Sequence, residues 1–348
     1  VRKGIAYALA SAVLFGLSTP VAKALVGAVP PLMLAGLLYA GSGIGLLLAM
    51  VVRGLASDRS RVPLPNRTEW LWLGAAIVLG GILGPVALMY GLSAMPASTA
   101  SLLLNLEGVF TALIAWFLFR ENFDRRVALG MLAIVAGGFV LAWSPGQPWQ
   151  VSSGALFIVT ACLCWALDNN LTRRASTADA VTIAAMKGVV AGAVNLGLAW
   201  ALGQRWTGGA LVAGATVVGL FGYGISLVLF VLALRDLGSA RATAYFSIAP
   251  FFGTAFAVVL QGDPVTAQLI VAGVLMGAGL WLHLAERHEH LHAHEALEHA
   301  HSHRHDDHHR HAHDFEWDGR EPHFHAHAHR RILHAHPHYP DVHHRHRH

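Results

Sequence analysis

The first 284 residues alternate between long apolar stretches and short polar connections, and there are ten such stretches. Each holds about 20 predominantly apolar residues, the length a helix needs to cross roughly 30 Å of hydrocarbon. The pattern therefore predicts ten membrane-spanning helices, over 4–25, 31–52, 70–90, 97–118, 127–143, 153–172, 181–202, 210–234, 242–260 and 267–284. In lipid every backbone N–H and C=O must find its partner within the chain, which makes helices the structure such segments adopt. Glycine and alanine recur throughout, as close packing between membrane helices requires. After Leu284 the pattern changes: histidine alternates with other residues, and few core-forming side chains remain beyond Phe315, Trp317, Ile332 and Leu333.

Composition sharpens that division. Apolar residues make up 55% of the chain and charged residues 13%, against about 25% charged in an ordinary soluble domain. A soluble enzyme of this size has nowhere to bury so much apolar surface, and disorder is excluded for the bulk of the chain on the same ground. All 24 histidines lie at His283 or beyond, 23 of them in the 64 residues from Ala285 to His348. The first 284 residues carry 16 Lys and Arg against 9 Asp and Glu, and the remainder carries 8 against 11. The net charge of +4 is thus a +7 membrane part joined to a −3 tail. The basic excess belongs to membrane loops rather than to a nucleic-acid-binding face.

Those basic residues also set an orientation. One set of connections holds Arg2, Lys3, Arg53, Arg59, Arg61, Arg67, Arg120, Arg125, Arg126, Arg173, Arg174, Arg235 and Arg241. The alternate set holds Arg205 alone, a bias of 13 to 1. Lys and Arg collect in cytoplasmic loops, so the N- and C-termini, and with them the histidine tail, are expected in the cytoplasm. The first stretch has no A-x-A-type exit and is read as a span rather than a leader. Cys162 and Cys164 lie in one apolar run, two residues apart on one helix. That spacing supports neither a disulfide nor a shared metal ion, and core packing is the expectation.

The ten stretches repeat after five. Leu102-Leu-Leu-Asn-Leu-Glu-Gly-Val-Phe110 and Ala244-Tyr-Phe-Ser-Ile-Ala-Pro-Phe-Phe252 align at an offset of 142. The same offset sets Asn105 on Ser247, Glu121 on Asp263 and Gly137 on Gly279. Stretches one and six align at 150, where Phe15 meets Trp165, Ser18 meets Asp168 and Lys23 meets Arg173. Five spans is an odd number, so the second copy inserts upside down relative to the first. Inverted repeats with a binding site at their interface are a transporter architecture.

Three stretches carry a family likeness: Phe15-Gly-Leu-Ser-Thr-Pro-Val-Ala-Lys23, the run from Ala97 to Trp116 with Arg120-Glu121, and Ile248-Ala-Pro-Phe-Phe252. They resemble the drug/metabolite transporter superfamily, specifically its EamA-type members, over residues 1 to about 284. The resemblance implies an all-α polytopic fold of ten transmembrane helices in two inverted five-helix repeats. It further implies cytoplasmic termini and export of small molecules across the inner (plasma) membrane, with the lipid bilayer as partner. The chain then divides into a first repeat at 1–143, a periplasmic linker at 144–152, a second repeat at 153–284 and the cytoplasmic tail at 285–348. Asp263 stands where the family usually has Glu, and the long tail lies outside the family's common pattern.

An ionisable residue within a span is a functional candidate, because placing it in lipid costs several kcal/mol. Glu107 lies near the middle of span four with Asn105 beside it. It can take a proton or hold a cationic group, or it can be a neutral acid hydrogen-bonded to a neighbouring helix. Asp168, Asn169 and Asn170 lie towards the end of span six, and Lys187 lies early in span seven. A short connection makes these two spans a hairpin, which puts Asp168 and Lys187 within about 6 Å in depth. They are read as an ion pair, with Lys187 reaching to the cytoplasmic surface as the alternative. Pro20 interrupts span one and frees the carbonyl of Gly16, with Ser18 and Thr19 in the same turn. Broken helices are where transporters expose backbone to a cavity. Lys23 is expected to anchor at the opposite membrane surface. No nucleotide-binding fingerprint or catalytic-triad spacing occurs, so no enzymatic activity is expected.

The tail's histidines are candidate metal ligands: His288, His292, His299, His301, His303, His305, His323, His325, His327, His329, His334, His336, His338, His343, His344, His346 and His348. No run exceeds two, unlike an appended tag. Neutral imidazole suits Zn, Ni, Co or Cu(II). Alternating histidine fits an extended chain wrapped around an ion, while His288 with His292 and His290 with His294 would pair on a helix prolonging span ten. Asp306, Asp307 and Asp314 offer oxygen ligands. Without metal the tail is expected to be disordered.

Three functions follow. The first is a proton-coupled secondary exporter of a small polar metabolite such as an amino acid, with Glu107 as the coupling carboxylate and the tail as a metal-binding regulator. No cofactor is required in that reading, and a homodimer is left open. The second is a Zn, Ni or Co exporter whose tail collects cytosolic metal. Against it, the spans hold no histidine outside His283 and few hard ligands. The third is a membrane-tethered metal buffer or sensor.

Overall fold

The computed structural model describes residues 2–56, 67–119, 125–143, 152–174, 180–205, 208–237, 242, 245–284, 288–294, 297–303, 323–329 and 332–338. Two compact units, Val1–Glu286 and Arg287–His348, are distinguished by their contacts.

The first unit is helical. It comprises α1 (Arg2–Leu25), α2 (Pro31–Ala56), α3 (Arg67–Ala76), α4 (Gly84–Ala94), α5 (Ala97–Leu103), α6 (Leu106–Phe119) and α7 (Arg125–Ala142). The second half holds α8 (Ser153–Arg174), α9 (Ala180–Ala201), α10 (Gly209–Gly219), α11 (Ser226–Leu237), α12 (Ala249–Gln261) and α13 (Ala267–Leu284). Eight helices among the described residues are long and apolar enough to cross a membrane. The two remaining predicted spans are represented by the shorter apolar helices 249–261 and 267–282. Large apolar side chains such as Leu48, Val52, Phe117, Phe139, Val259 and Trp281 face outward. That is the arrangement expected of a bundle solvated by lipid rather than water.

Four spans are irregular, and the irregularities come in pairs. A π-helical turn, Ile77–Leu83, joins α3 to α4, and a second, Leu220–Ile225, joins α10 to α11. Beside the first lies Pro85, which has no N–H to give the carbonyl four residues before it. That carbonyl, of Gly81, accepts instead from Asn195 Nδ2 of α9 at 3.3 Å. Span four breaks between α5 and α6, where Leu104, Asn105 and Glu107 donate backbone bonds three residues back, to Ser101, Leu102 and Leu104. The carbonyls this disturbs are taken up by side chains: Asn105 Nδ2 donates to Leu102 O at 2.9 Å, and the Cys162 thiol to Leu103 O at 3.7 Å. Span nine tightens in the same way at Ser247–Ile248, with Ile248 N donating to Tyr245 O and Phe251 N to Ile248 O. The 142-residue offset puts Asn105 and Leu106 on those two positions.

Packing follows the same internal two-fold relation. α1 lies against α11 and α12, as α8 lies against α4 and α6; α2 crosses α9, and α7 crosses α13. Small residues allow these crossings. A Cβ on Gly188 would fall 2.5 Å from the backbone nitrogen of Gly43, and one on Gly279 would fall 2.5 Å from the carbonyl oxygen of Gly130.

Pro20 does not break α1. The helix runs through it, and the Gly16 region is pressed against α12, where a Cβ on Gly253 would fall 2.8 Å from Gly16 O. Neighbouring backbone closes the space that was expected to be a cavity, and the broken helices are those of spans four and nine. Lys23, near the end of α1, donates from Nζ to Leu92 O at 2.5 Å, two residues before the end of α4. At the same end of the bundle the Asp263 carboxylate accepts from Ser98 N at 2.8 Å, and Gln261 donates to the Pro20 carbonyl. Cys162 and Cys164 are buried.

In the second unit the described residues form four strands: β1 (His288–His294), β2 (Leu297–His303), β3 (His323–His329) and β4 (Ile332–His338). β1 pairs antiparallel with β4, and β2 with β3. The sequence predicts disorder here for want of a core. These stretches are instead extended and paired, as period-two alternation and cross-strand backbone bonding favour. The i,i+4 pairing of His288 with His292 on a prolonged helix is likewise not formed, since both lie on β1.

Candidate functional site

The polar side chains inside the bundle gather where α6, α8 and α9 meet the first π-turn. Lys187 of α9 places Nζ 2.6 Å from both carboxylate oxygens of Asp168 on α8. The Thr172 hydroxyl, one turn further along α8, donates to Asp168 Oδ1 at 2.9 Å. Asp168 is 6% exposed, and its carboxylate rests on the backbone of Gly80 in the π-turn. The π-turn lies against both α8 and α9, and the glycine in it makes the room this pair occupies.

Next to it, Asn169 Nδ2 donates to Glu107 Oε1 at 2.9 Å. Glu107 opens the first turn of α6, immediately after the break in span four, and is half-buried; Asn169 is exposed. Glu107 also interacts electrostatically with Asp168 and Lys187. Consecutive residues of α8 therefore hold a carboxylate from one neighbour and an ammonium from another. Asn170 ties α8 to α6 through Thr111 O at 3.3 Å and to its own helix through Ala166 O at 2.8 Å.

The π-turn supplies the third side. Gly80 O accepts from Tyr39 Oη at 2.7 Å and from Trp165 Nε1 at 3.0 Å. Tyr39 continues into an aromatic wall: its ring centroid is 5.6 Å from Tyr223, Tyr223 is 5.9 Å from Phe15, and Phe15 is 5.4 Å from Phe246. Such a wall offers apolar and π-face contact beside a charged pair.

Not every predicted residue joins this cluster. Asn105, 8% exposed, serves the helix break and approaches Met276 Sδ at 3.9 Å rather than Glu107. Ser18 and Thr19 are 3% and 2% exposed. Ser18 Oγ donates to Phe15 O at 2.6 Å, and a Cβ on Gly222 in the second π-turn would fall 2.4 Å from Ser18 Cβ. Ser18 therefore stands to Gly222 as Asp168 stands to Gly80, in keeping with the 150-residue alignment of the two. Pro20 is buried at the far end of α1.

Tyr39, Trp165, Thr172 and Gly80 were not singled out by sequence reasoning. The Gly80-Gly81-x-x-Gly84-Pro85 run within a span was the available signal for an irregular turn. Among the described side chains no three His, Cys, Asp or Glu come together as a metal site. His288, His292, His299, His301, His303, His323, His325, His327, His329, His334, His336 and His338 lie on the four strands. His305, His343, His344, His346 and His348, with Asp306, Asp307 and Asp314, lie outside the described residues.

Comparison with known proteins agrees with this architecture. The EamA-like transporter family model matches residues 2–143 and 152–285. A protein of Salmonella typhimurium named a probable amino-acid metabolite efflux pump is 28% identical over 302 residues, covering 81% of this chain and 95% of its own. A transporter of Methanothermobacter thermautotrophicus is 25% identical over 287 residues, 79% of this chain and 84% of its own. One crystal structure superposes with a TM-score of 0.59 at 21% identity, covering 80% of this chain and 95% of that one, which indicates a shared fold.

Proposed function

The chain belongs to the EamA-like transporter family, and on that premise we propose that it is a proton-coupled secondary exporter of a small polar metabolite such as an amino acid. As a family member it is a multi-pass membrane transporter rather than an enzyme. The observation that carries the finer reading is the juxtaposition on α8: Asn169 holding Glu107, and Asp168 holding Lys187. A solute with both charges meets a matching group for each, and the half-buried Glu107 is the residue assigned to proton exchange. The efflux-pump name of the Salmonella relative supports the choice of solute. The 13-to-1 distribution of basic residues supports termini in the cytoplasm of the inner membrane.

The tail is assigned to binding Zn, Ni, Co or Cu(II) as a regulator. Its strand register supports this, setting His288, His290 and His292 opposite His338, His336 and His334. In the other pair His299, His301 and His303 stand opposite His327, His325 and His323. Imidazole-bearing positions recurring across a ladder suit these metals.

Inside-out membrane vesicles test the assignment. A gradient acid inside the vesicles is expected to drive accumulation of radiolabelled amino acids by the full chain, and Glu107→Gln to abolish it. Accumulation of zinc, nickel or cobalt by a version ending at Leu284, stopped by Glu107→Gln, would replace this reading with metal export.

A further inference from the structure

We propose that the Asp168–Lys187 pair is a receptor for a zwitterion, opened by the solute: its carboxylate takes Lys187 and its ammonium takes Asp168. The inference rests on reading the bundle as a solute carrier and adds which groups hold which end of the cargo.

Packing does not account for the pair. Ser18, in the corresponding place of the first repeat, fills the same kind of niche against Gly222 with no charge at all. A small side chain is what the π-turn requires, so the space does not call for a charge, and the charged partner bonded to Asp168 is Lys187. An ion pair inside a fold is seldom more stabilising than apolar side chains of like volume, and one inside a membrane span is dearer still. Such a pair is retained for what it does when it opens.

The pair is also placed to open. Both oxygens of Asp168 are bonded to Lys187, and among the described residues its other side-chain bond is from the Thr172 hydroxyl on its own helix. Lys187 has three protons to donate. Asp168 receives its two bonds, and among the described residues the third proton meets no acceptor. The Lys187 side chain retains 16% exposure against 8% for Asp168, and the adjoining Asn169 is exposed. A zwitterion entering there replaces one internal ion pair by two, leaving no charge without a partner. A simple carboxylate or a simple amine strands one member of the pair and is excluded by that cost.

The test uses the full-length protein in detergent micelles, with glycine, acetate and methylamine as the minimal zwitterion, carboxylate and amine, and sodium chloride as the ionic-strength control. Ligand binding to the folded state raises the unfolding temperature. Glycine is expected to stabilise the wild type more than acetate or methylamine at equal concentration. Asp168→Ser, which borrows the first repeat's residue and removes the internal competitor, is expected to respond to acetate at about tenfold lower concentration than the wild type. The double variant Asp168→Ser/Lys187→Met buries no unpaired charge and is expected to ignore all three. A merely structural pair gives Asp168→Ser no gain in acetate response, and that result overturns the inference. So does glycine stabilisation that persists in the double variant.

Vesicle assays on the same proteins separate the two levels. Amino-acid accumulation undiminished in the double variant removes the zwitterion receptor and leaves the carrier. Acetate response in Asp168→Ser without accumulation of amino acids by the wild type removes the carrier's assigned cargo and leaves the receptor.

Discussion

A Cβ on Gly80 would fall 1.9 Å from Oδ2 of Asp168, so the π-turn of the third span and the carboxylate of the sixth share one small space. The same Cβ would be 2.3 Å from Asp168 Cγ and 2.6 Å from its Cβ, which turning the carboxylate alone does not relieve. Gly80→Ala is therefore expected to push Asp168 off Lys187. The loss is about 1–3 kcal/mol of stability, with export falling alongside it. Thermal unfolding of the purified variant measures the first, vesicle accumulation the second. Gly108→Ala is the control: a Cβ there meets nothing within 4 Å. Gly-to-Ala in mid-helix is worth about 0.5–1 kcal/mol, and Gly108, in the first turn of α6, is expected to gain no more than that. Equal effects at the two glycines would refute the steric account.

Removing one member of the Asp168–Lys187 pair leaves the other buried and uncompensated. Lys187→Met is expected to cost about 3–5 kcal/mol, and adding Asp168→Ser to recover most of it. A double-mutant cycle on unfolding free energy reads the coupling directly. Additive losses would mean that the 2.6 Å contacts contribute nothing to stability.

Glu107→Gln keeps the side-chain carbonyl oxygen that accepts from Asn169 and removes only the ionisable group. Its stability is expected to stay within about 1 kcal/mol of the wild type, while proton-driven accumulation is lost and solute exchange without a proton gradient no longer depends on pH. Exchange measured across a pH series in wild type and variant decides this. A parallel pH profile in the variant would assign proton coupling elsewhere.

α5 begins at Ala97 behind Pro96, which has no side-chain oxygen to cap it. Asp263 performs that service from the connection after α12, accepting the N–H of Ser98. Asp263→Ala is expected to cost about 0.5–2 kcal/mol and Asp263→Asn much less. Unfolding midpoints of the two variants check the order. An equal loss in both would mean that the charge matters and the hydrogen bond does not.

The span pattern was legible in the sequence because apolar length is a direct consequence of membrane thickness. The Asp168–Lys187 contact was legible too, from the depth of each residue in a hairpin with a short connection. Irregular backbone was less so. Pro20 suggests a break yet sits in a continuous helix, whereas Pro85 lies beside the π-turn that receives Tyr39 and Trp165. A proline shows that a hydrogen bond is lost, but whether the helix bends depends on neighbours far away in sequence, here Asn195 and α12. Asn105 was grouped with Glu107 by adjacency, yet the two side chains part at the break between α5 and α6. In the tail, low core content argued for disorder, while the period-two alternation already carried the signature of a strand.

The paired irregularities bear on how such a bundle can turn over. Each half carries one π-turn and one tightened break, so if the halves exchange shapes, no segment needs a backbone conformation that the fold does not already contain. The charges are not duplicated in this way: Asp168 is answered by Ser18. The two shapes are therefore mirror states in their backbone and unequal in their electrostatics. What sits between Lys187 and Asp168 then biases the balance between them, as any ligand does that binds one state better than the other.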